Sequence, residues 1–450
     1  MSILNVNKIN PVGGGSTITI AGIASVTNNI SVGNSVTAGS FVGPIEGAVT
    51  GNVTGNADTA SGLSGNPSIN TTGIVTATSF VPTVGQLSHR NIIVNGDMQV
   101  AQRGTSATGL PANGYATVDR FKATQTGTDN YIEQHQVDVA SGTTPYTSGF
   151  RKAFQVKNGN QTSGAGGNDF IWIQTIIEAQ DIANSGWNYT SSSSYVTLSF
   201  WVKSSVAQDF KGYLRSRDGT NYEYPFATGS LSADTWTKVT KTISGNSNLQ
   251  FDTNNDPGFE INLFPFLGTD RTDNNATENA WATYNSSQRT KDNTSTWYTT
   301  DDATLEITGV QLEVGPVATP FEHRNFGDEL RRCQRYYHCV YRRGASSDSN
   351  VSIGALGSLY TGNSVYIDMT LPTQMRTTPT LETPSATNRY NHCPTNCIDF
   401  GNPTLIHGQK NAVTLNATLQ SSNTAGRVGN TFAKTANWTE GEKLAFTAEL

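Results

Sequence analysis

Flat aromatic faces beside planar polar groups are the chemistry that recognises sugars: rings meet C–H faces and polar groups meet hydroxyls. The densest such grouping surrounds Asp218-Gly219. A two-residue turn there sets Arg215 opposite Tyr222 and Tyr213 opposite Tyr224, so these four and Arg217 point to one face. Trp201 and Tyr195 share the polar face of the neighbouring strand. The seven residues read either as a shallow glycan platform or as aromatics packed over a sheet or a subunit contact.

Two other groupings invite chemistry. Arg324, Arg331, Arg332, Arg335, Arg342 and Arg343 crowd one stretch. They suit bidentate contact with lipopolysaccharide phosphate, or pairing with Glu322, Asp328 and Glu329 across a domain or subunit interface. Cys333 and Cys339 with His338, and Cys393 and Cys397 with His392, raise a zinc site. The C-x3-C spacing falls within the structural-zinc range and the C-x5-C spacing is too wide. Buried free thiols or a late-formed disulfide are the other readings. No G-x-S-x-G, H-E-x-x-H or phosphate-cradling glycine motif occurs. Asp169, Glu178, Asp181, Asp301 and Asp302 supply carboxylates for a glycosidase pair only if the fold brings two together. The expectation is a chain without enzymatic activity or cofactor.

The elements that position these residues are strands. Ser194 to Ser205 alternates, with Val196, Leu198, Phe200 and Val202 on one side. Further strands are expected at 170–177, 210–217, 220–226, 237–243, 259–266 and 304–314, with turns between them, as in a β-sandwich. One short helix is expected over 328–337, with acids first and arginines later, followed by a second run of strands to residue 450.

Only 14% of the 450 residues are charged, against roughly 25% in ordinary soluble domains. The net charge of -6 is too mild for a nucleic-acid footprint. The opening MSILNVNKIN lacks a basic segment followed by an apolar one, so no secretory signal is expected. No apolar run is long enough to insert in a membrane.

Residues 1–88 differ from the rest. They hold three charged residues (Lys8, Glu46, Asp58) and two aromatics (Phe41, Phe80). Ile18, Ile20, Ala24, Val26, Ile30, Val32, Val36, Ala38 and Val42 sit at even positions, and Ile45, Val49, Val53 and Ala57 at odd ones. Val36-Thr-Ala-Gly-Ser-Phe-Val42 returns as Val75-Thr-Ala-Thr-Ser-Phe-Val81. Repeats that each bury one narrow face need neighbours to complete a core. A trimeric β-stem meets that need; a flexible linker and a monomeric solenoid are the alternatives.

Several phrases resemble tail-fibre and receptor-binding virion proteins of tailed bacteriophages, marine ones in particular. They are the opening MSILNVNKINP; Asn91-Ile-Ile-Val-Asn-Gly-Asp-Met98 through Arg103; Gly114 to Phe121; Leu305-Glu-Ile-Thr-Gly-Val-Gln-Leu-Glu-Val-Gly315 with Thr319 to Arg324; and Leu330-Arg-Arg-Cys-Gln-Arg-Tyr-Tyr337. The resemblance implies an all-β chain: a repetitive stem over 1–88, a carbohydrate-binding-module-like jelly roll over 89–324, and a β-sandwich-like C-terminal domain over 325–450 opened by the helix. It implies a homotrimeric virion appendage, joined to other virion proteins through its N-terminus and assembled in the host cytoplasm. Its partner would be a host glycan or lipopolysaccharide. A purely structural virion component, such as a head fibre or tail connector, and a polysaccharide depolymerase are the alternatives. Such modules often carry an acidic calcium ligand in the closing strand, but Ile307-Thr308-Gly309-Val310 has no acid. Calcium near Asp97 would require Glu306 or Glu313 to stand in.

Overall fold

The computed structural model describes residues 88–109, 113–344, 351–384, 389–434, 438 and 442–450; the expected stem, Ser88 apart, lies outside the described residues. The described residues form one compact unit. No described helix is long and apolar enough to cross a membrane.

The fold is all-β. Two antiparallel sheets make the first sandwich. The six-stranded sheet has the spatial order β1 (Ser106–Ala107), β4 (Glu133–Asp138), β5 (Lys152–Lys157), β13 (Thr304–Val314), β7 (Tyr195–Ser204) and β10 (Thr237–Ser244). The seven-stranded sheet runs β12 (Ala282–Thr283), β9 (Tyr222–Ser230), β8 (Asp209–Ser216), β11 (Pro257–Leu267), β6 (Phe170–Glu178), β3 (Lys122–Thr126) and β2 (Asn113–Gly114). Strands adjacent in sequence, such as β7 and β8, lie in different sheets, the interleaving of a jelly roll.

Period-two alternation fills the space between the sheets. Val196, Leu198, Phe200 and Val202 of β7 meet Phe259, Ile261 and Leu263 of β11 and Ile171 and Ile173 of β6 in one core. Each such side chain, once buried, contributes about 2 kcal/mol against exposure. The Asn95-Gly96-Asp97 turn holds the entry to this sandwich. Asn95 takes a left-handed backbone with φ 61°, which asparagine tolerates. Its buried side chain donates to the carbonyls of Val100 and Asp119 and accepts from the Val100 N–H, each at 2.9 Å.

Helices are short: α1 (Thr144–Thr147), α2 (Ala179–Ala183) and α3 (Phe326–Gln334). The Asn325 side chain caps α3 by accepting from the Asp328 N–H at 2.9 Å. That cap starts the helix two residues before the expected position, and Tyr337, expected on it, opens a strand instead.

The second sandwich has a three-stranded sheet, β14 (Tyr337–Arg342), β23 (Lys443–Thr447) and β17 (Thr380–Glu382). Opposite it lies a seven-stranded sheet of β19 (Ile398–Phe400), β18 (Tyr390–Cys393), β22 (Val428–Ala433), β15 (Val351–Thr361), β16 (Ser364–Thr370), β21 (Ala412–Thr418) and β20 (Thr404–Gly408). Val365, Ile367, Leu415, Leu444 and Phe446 share its core.

The two sandwiches are joined through charge. Arg103 and Arg120 both pair with Glu449. Their guanidiniums also lie 3.5 Å from the ring centres of Tyr337 and Tyr336 respectively. Cation–aromatic contact of this kind strengthens when water is excluded.

Candidate functional site

The outer face of the first sandwich's seven-stranded sheet gathers the chemistry. Register puts Glu223, Arg215 and Glu260 in one row, because Arg215 pairs with Glu223 on β9 and Glu260 on β11. A second row runs Tyr213, Asn262, Gln174 and Lys122 across β8, β11, β6 and β3. Trp172, two residues before Gln174, shares the Gln174 face by strand alternation.

Glu260 is the hub of this face. It is 2% exposed. It accepts from Tyr213 Oη at 3.3 Å, Arg217 Nη1 at 3.2 Å and Gln174 Nε2 at 3.3 Å, and pairs with Arg215 at 3.5 Å. Gln174 Nε2 also donates to Asn262 Oδ1 at 2.9 Å. Asn262 Nδ2 and Trp172 Nε1 are buried without a hydrogen-bond partner. Unmet buried donors are costly and are expected to find an acceptor.

A long loop after β11 crosses this face and carries Arg271, Tyr284 and Arg289. With the sheet it builds a stack. Arg271 lies 4.7 Å over Phe170, and Phe170 stacks on Trp172 with ring centres 4.2 Å apart and planes 19° apart. Arg289 lies 5.4 Å from Trp172 and 5.8 Å from Tyr284, and Arg215 lies 3.4 Å over Tyr284. Burial pushes the Glu223 carboxyl up to about 8, partly offset by the Asn285 N–H and the arginine charges. Half-buried Trp172 and Tyr284 and exposed Arg217 give the face its accessible surface.

Of the seven expected platform residues, Tyr213, Arg215 and Arg217 meet here. Tyr222 and Tyr224 do not. A five-residue loop, 217–221, replaces the expected two-residue turn, and Tyr224 pairs with Leu214 rather than Tyr213. A one-residue slip turns side chains to the opposite face, so Tyr224 enters the core and Tyr222 packs against it. Trp201 and Tyr195 are on the wrong sheet altogether. Their strand, β7, pairs with β10 and β13 and not with β8. Trp201 packs with Trp236 and Phe321 outside the six-stranded sheet.

The expected arginine cluster is dispersed. Arg335 pairs with Glu178. Arg324 takes Glu322 and Glu329. Arg331 and Arg332 are exposed on α3, and Arg332 borders a polar cleft of about 490 Å³ with His89 and Asp181. Arg342 lies on β14 near Gly104, and the Arg343 N–H donates to the Glu442 carbonyl at 2.9 Å.

The zinc set is overturned, because Cys393 and Cys397 are bonded to each other. Cys333 is buried and Cys339 half-buried, both free. Burial pushes the Cys339 thiol up to about 11 and the Cys333 thiol well above its ordinary value. Among the described residues no group of three or more His, Cys, Asp or Glu is arranged around a metal position. Glu306 is taken by Lys203 and Gln155. Glu313 accepts from Gln311 and Thr319. Neither is free to serve Asp97. Among the five acids, Glu178 is held by Arg335 and Asp302 by Lys157 at 2.8 Å, while burial raises the Asp181 carboxyl and the nearby Glu178 charge raises it further.

Sequence reasoning missed Trp172, Gln174, Glu260, Asn262, Tyr284 and Arg289. One signal existed: within Phe170 to Ile177, the large or polar residues Phe170, Trp172 and Gln174 alternate onto one face. The loop residues had none.

No family model matches the chain, and no curated protein matches it in sequence. Among solved structures it is similar to the enzymatically active domain of tailspike protein 4 of bacteriophage CBA120, at 11% identity and TM-score 0.27 over 50% of this chain and 21% of that one. The chain thus matches about a fifth of the tailspike domain's length. It is similar to the N-terminal cellulose-binding domain of Cellulomonas fimi β-1,4-glucanase C, at 10% identity and TM-score 0.24 over 49% of this chain and 99% of that one. It is also similar to the CBM22-1–CBM22-2 tandem of Paenibacillus barcinonensis Xyn10C, at 8% identity and TM-score 0.24 over 83% and 100%.

Proposed function

We propose that the chain is a glycan-recognising fibre protein of a phage virion, which adsorbs to the host surface through the outer face of its first seven-stranded sheet. The observation that carries the reading is the combination on that face: Trp172 and Tyr284 as ring surfaces beside Gln174, Glu260 and Asn262, with Asn262 Nδ2 and Trp172 Nε1 unmet. Sugar rings offer the matching pair of surfaces, C–H faces for the aromatics and hydroxyls for the amides. The repetitive, nearly uncharged residues 1–88 support a homotrimeric stem that attaches to other virion proteins. The role proposed is binding rather than hydrolysis.

The full chain applied to a panel of bacterial surface glycans tests this. Saturable binding, with a trimer mass by light scattering, supports the reading. Absence of binding to any glycan overturns the recognition role, and a monomer mass overturns the trimer.

A further inference from the structure

Resting on the glycan-binding reading, we infer that this face is built for an acidic sugar, one whose carboxylate or sulfate enters the arginine–aromatic stack. Three guanidiniums, Arg271, Arg289 and Arg215, lie against Phe170, Trp172 and Tyr284 in one chain of contacts. Their carboxylate supply is short. Glu260 is shared by Arg215 and Arg217. Among the described residues neither Arg271 nor Arg289 has a carboxylate partner within ion-pair distance.

Arg289 is the sharpest case. It is 6% exposed, and its Nε and Nη1 are buried without a hydrogen-bond partner. A buried cation left uncompensated is strongly unfavourable, and a bound anion relieves it. The nearby Glu223 is a poor source of that charge, since burial raises its carboxyl to about 8. Burial and the Arg289 charge hold the Arg271 guanidinium below its ordinary value, outweighing Tyr284 and Asp270, which act to raise it. Guanidinium is planar, matches a carboxylate or sulfate with paired N–H donors, and tolerates stacking on rings. A neutral glycan would satisfy Trp172 Nε1 and Asn262 Nδ2 but leave the Arg289 charge uncompensated.

The test uses the full chain against three groups of polysaccharide: uronate-containing (alginate, polygalacturonate), sulfated (carrageenan) and neutral (xylan, mixed-linkage glucan, dextran). Binding at least tenfold tighter to a uronate or sulfated member, weakening as salt is added, supports the inference, and the group that binds identifies the anion. Arg289→Gln and the solvent-facing Arg217→Ala each lower that affinity by about tenfold, the usual scale for one charge-assisted hydrogen bond. Arg217→Ala serves if Arg289→Gln fails to fold. Equal or tighter binding to neutral glycans, or salt-independent binding, overturns the acidic selection while leaving glycan recognition standing. Binding to no group overturns both.

Discussion

Arg335 holds Glu178 by two prongs, Nε to Oε1 at 2.6 Å and Nη2 to Oε2 at 2.7 Å. Glu178 ends β6 in the first sandwich, whereas Arg335 follows α3 at the start of the second. The pair therefore fastens the end of a site strand to the neighbouring sandwich.

Removing one partner leaves a buried charge alone. Glu178 has no exposed side-chain surface and Arg335 has 28%, so partial solvation of the arginine moderates the loss. Arg335→Ala is expected to cost about 2 kcal/mol, below the range for fully buried pairs. Burial acts to raise the Glu178 carboxyl, but hydrogen bonds from Arg335 and Tyr336 and the Arg335 charge outweigh it and hold the carboxyl below its ordinary 4.5. A depressed carboxyl stabilises fully above the unfolded value, so this contribution is lost as pH falls below 4.5. Calorimetric unfolding across acid pH checks both; an acid profile identical in wild type and Arg335→Ala contradicts the assignment.

Glu223 works in the opposite sense. Its carboxyl is raised to about 8 by burial, from an ordinary 4.5. Between those values the folded chain holds a proton that the unfolded chain has released. Stability therefore falls as pH rises through that window, by at most about 1.4 kcal/mol per pH unit. Glu223→Gln keeps the neutral shape and should flatten the decline. Denaturant midpoints from pH 5 to 9 measure it, and a slope unchanged by the substitution would refute the burial argument.

The hairpin register gives a direct contrast. Tyr224 is 6% exposed and packs with ring centres 5.4 Å from Trp281, so Tyr224→Ala should cost about 3 kcal/mol, the scale of aromatic truncation in a core. Were Tyr224 solvent-exposed, the loss would be small. A urea titration distinguishes the two placements.

That hairpin also marks where local patterning stops being sufficient. β13 spans Thr304–Val314 and β7 spans Tyr195–Ser204, close to what alternation alone implies, since each must hide one face. Asp218-Gly219 carries the signal of a tight turn, yet Asp218 Oδ2 accepts from the distant Asp252 N–H at 3.0 Å and Gly219 takes φ 59° within a longer loop. The loop thus makes a contact 34 residues away in sequence, which local patterning does not reveal. Arg271, Tyr284 and Arg289 were illegible for a similar reason: a long loop has no periodicity, and only the sheet beneath it fixes where its residues land. Trp201 failed because alternation assigns a face but not a sheet.

Cys393 and Cys397 bridge β18 to β19 across a short loop. Closing so few residues removes little unfolded-chain entropy, and Cys393→Ser with Cys397→Ser is expected to cost about 2 kcal/mol. The loss should fall on the second sandwich. Glycan affinity of the first should be unchanged, which binding measured alongside thermal unfolding will establish. A fall in affinity without unfolding would contradict that separation.

Titration calorimetry of the full chain with its tightest-binding glycan, beside Trp172→Ala and Asn262→Ala, provides the most direct check of binding at this face. Saturable binding by the wild type and a loss of about tenfold or more in each variant are expected, the scale of one stacking contact or hydrogen bond. Wild-type affinity in both folded variants would place the site elsewhere and contradict it.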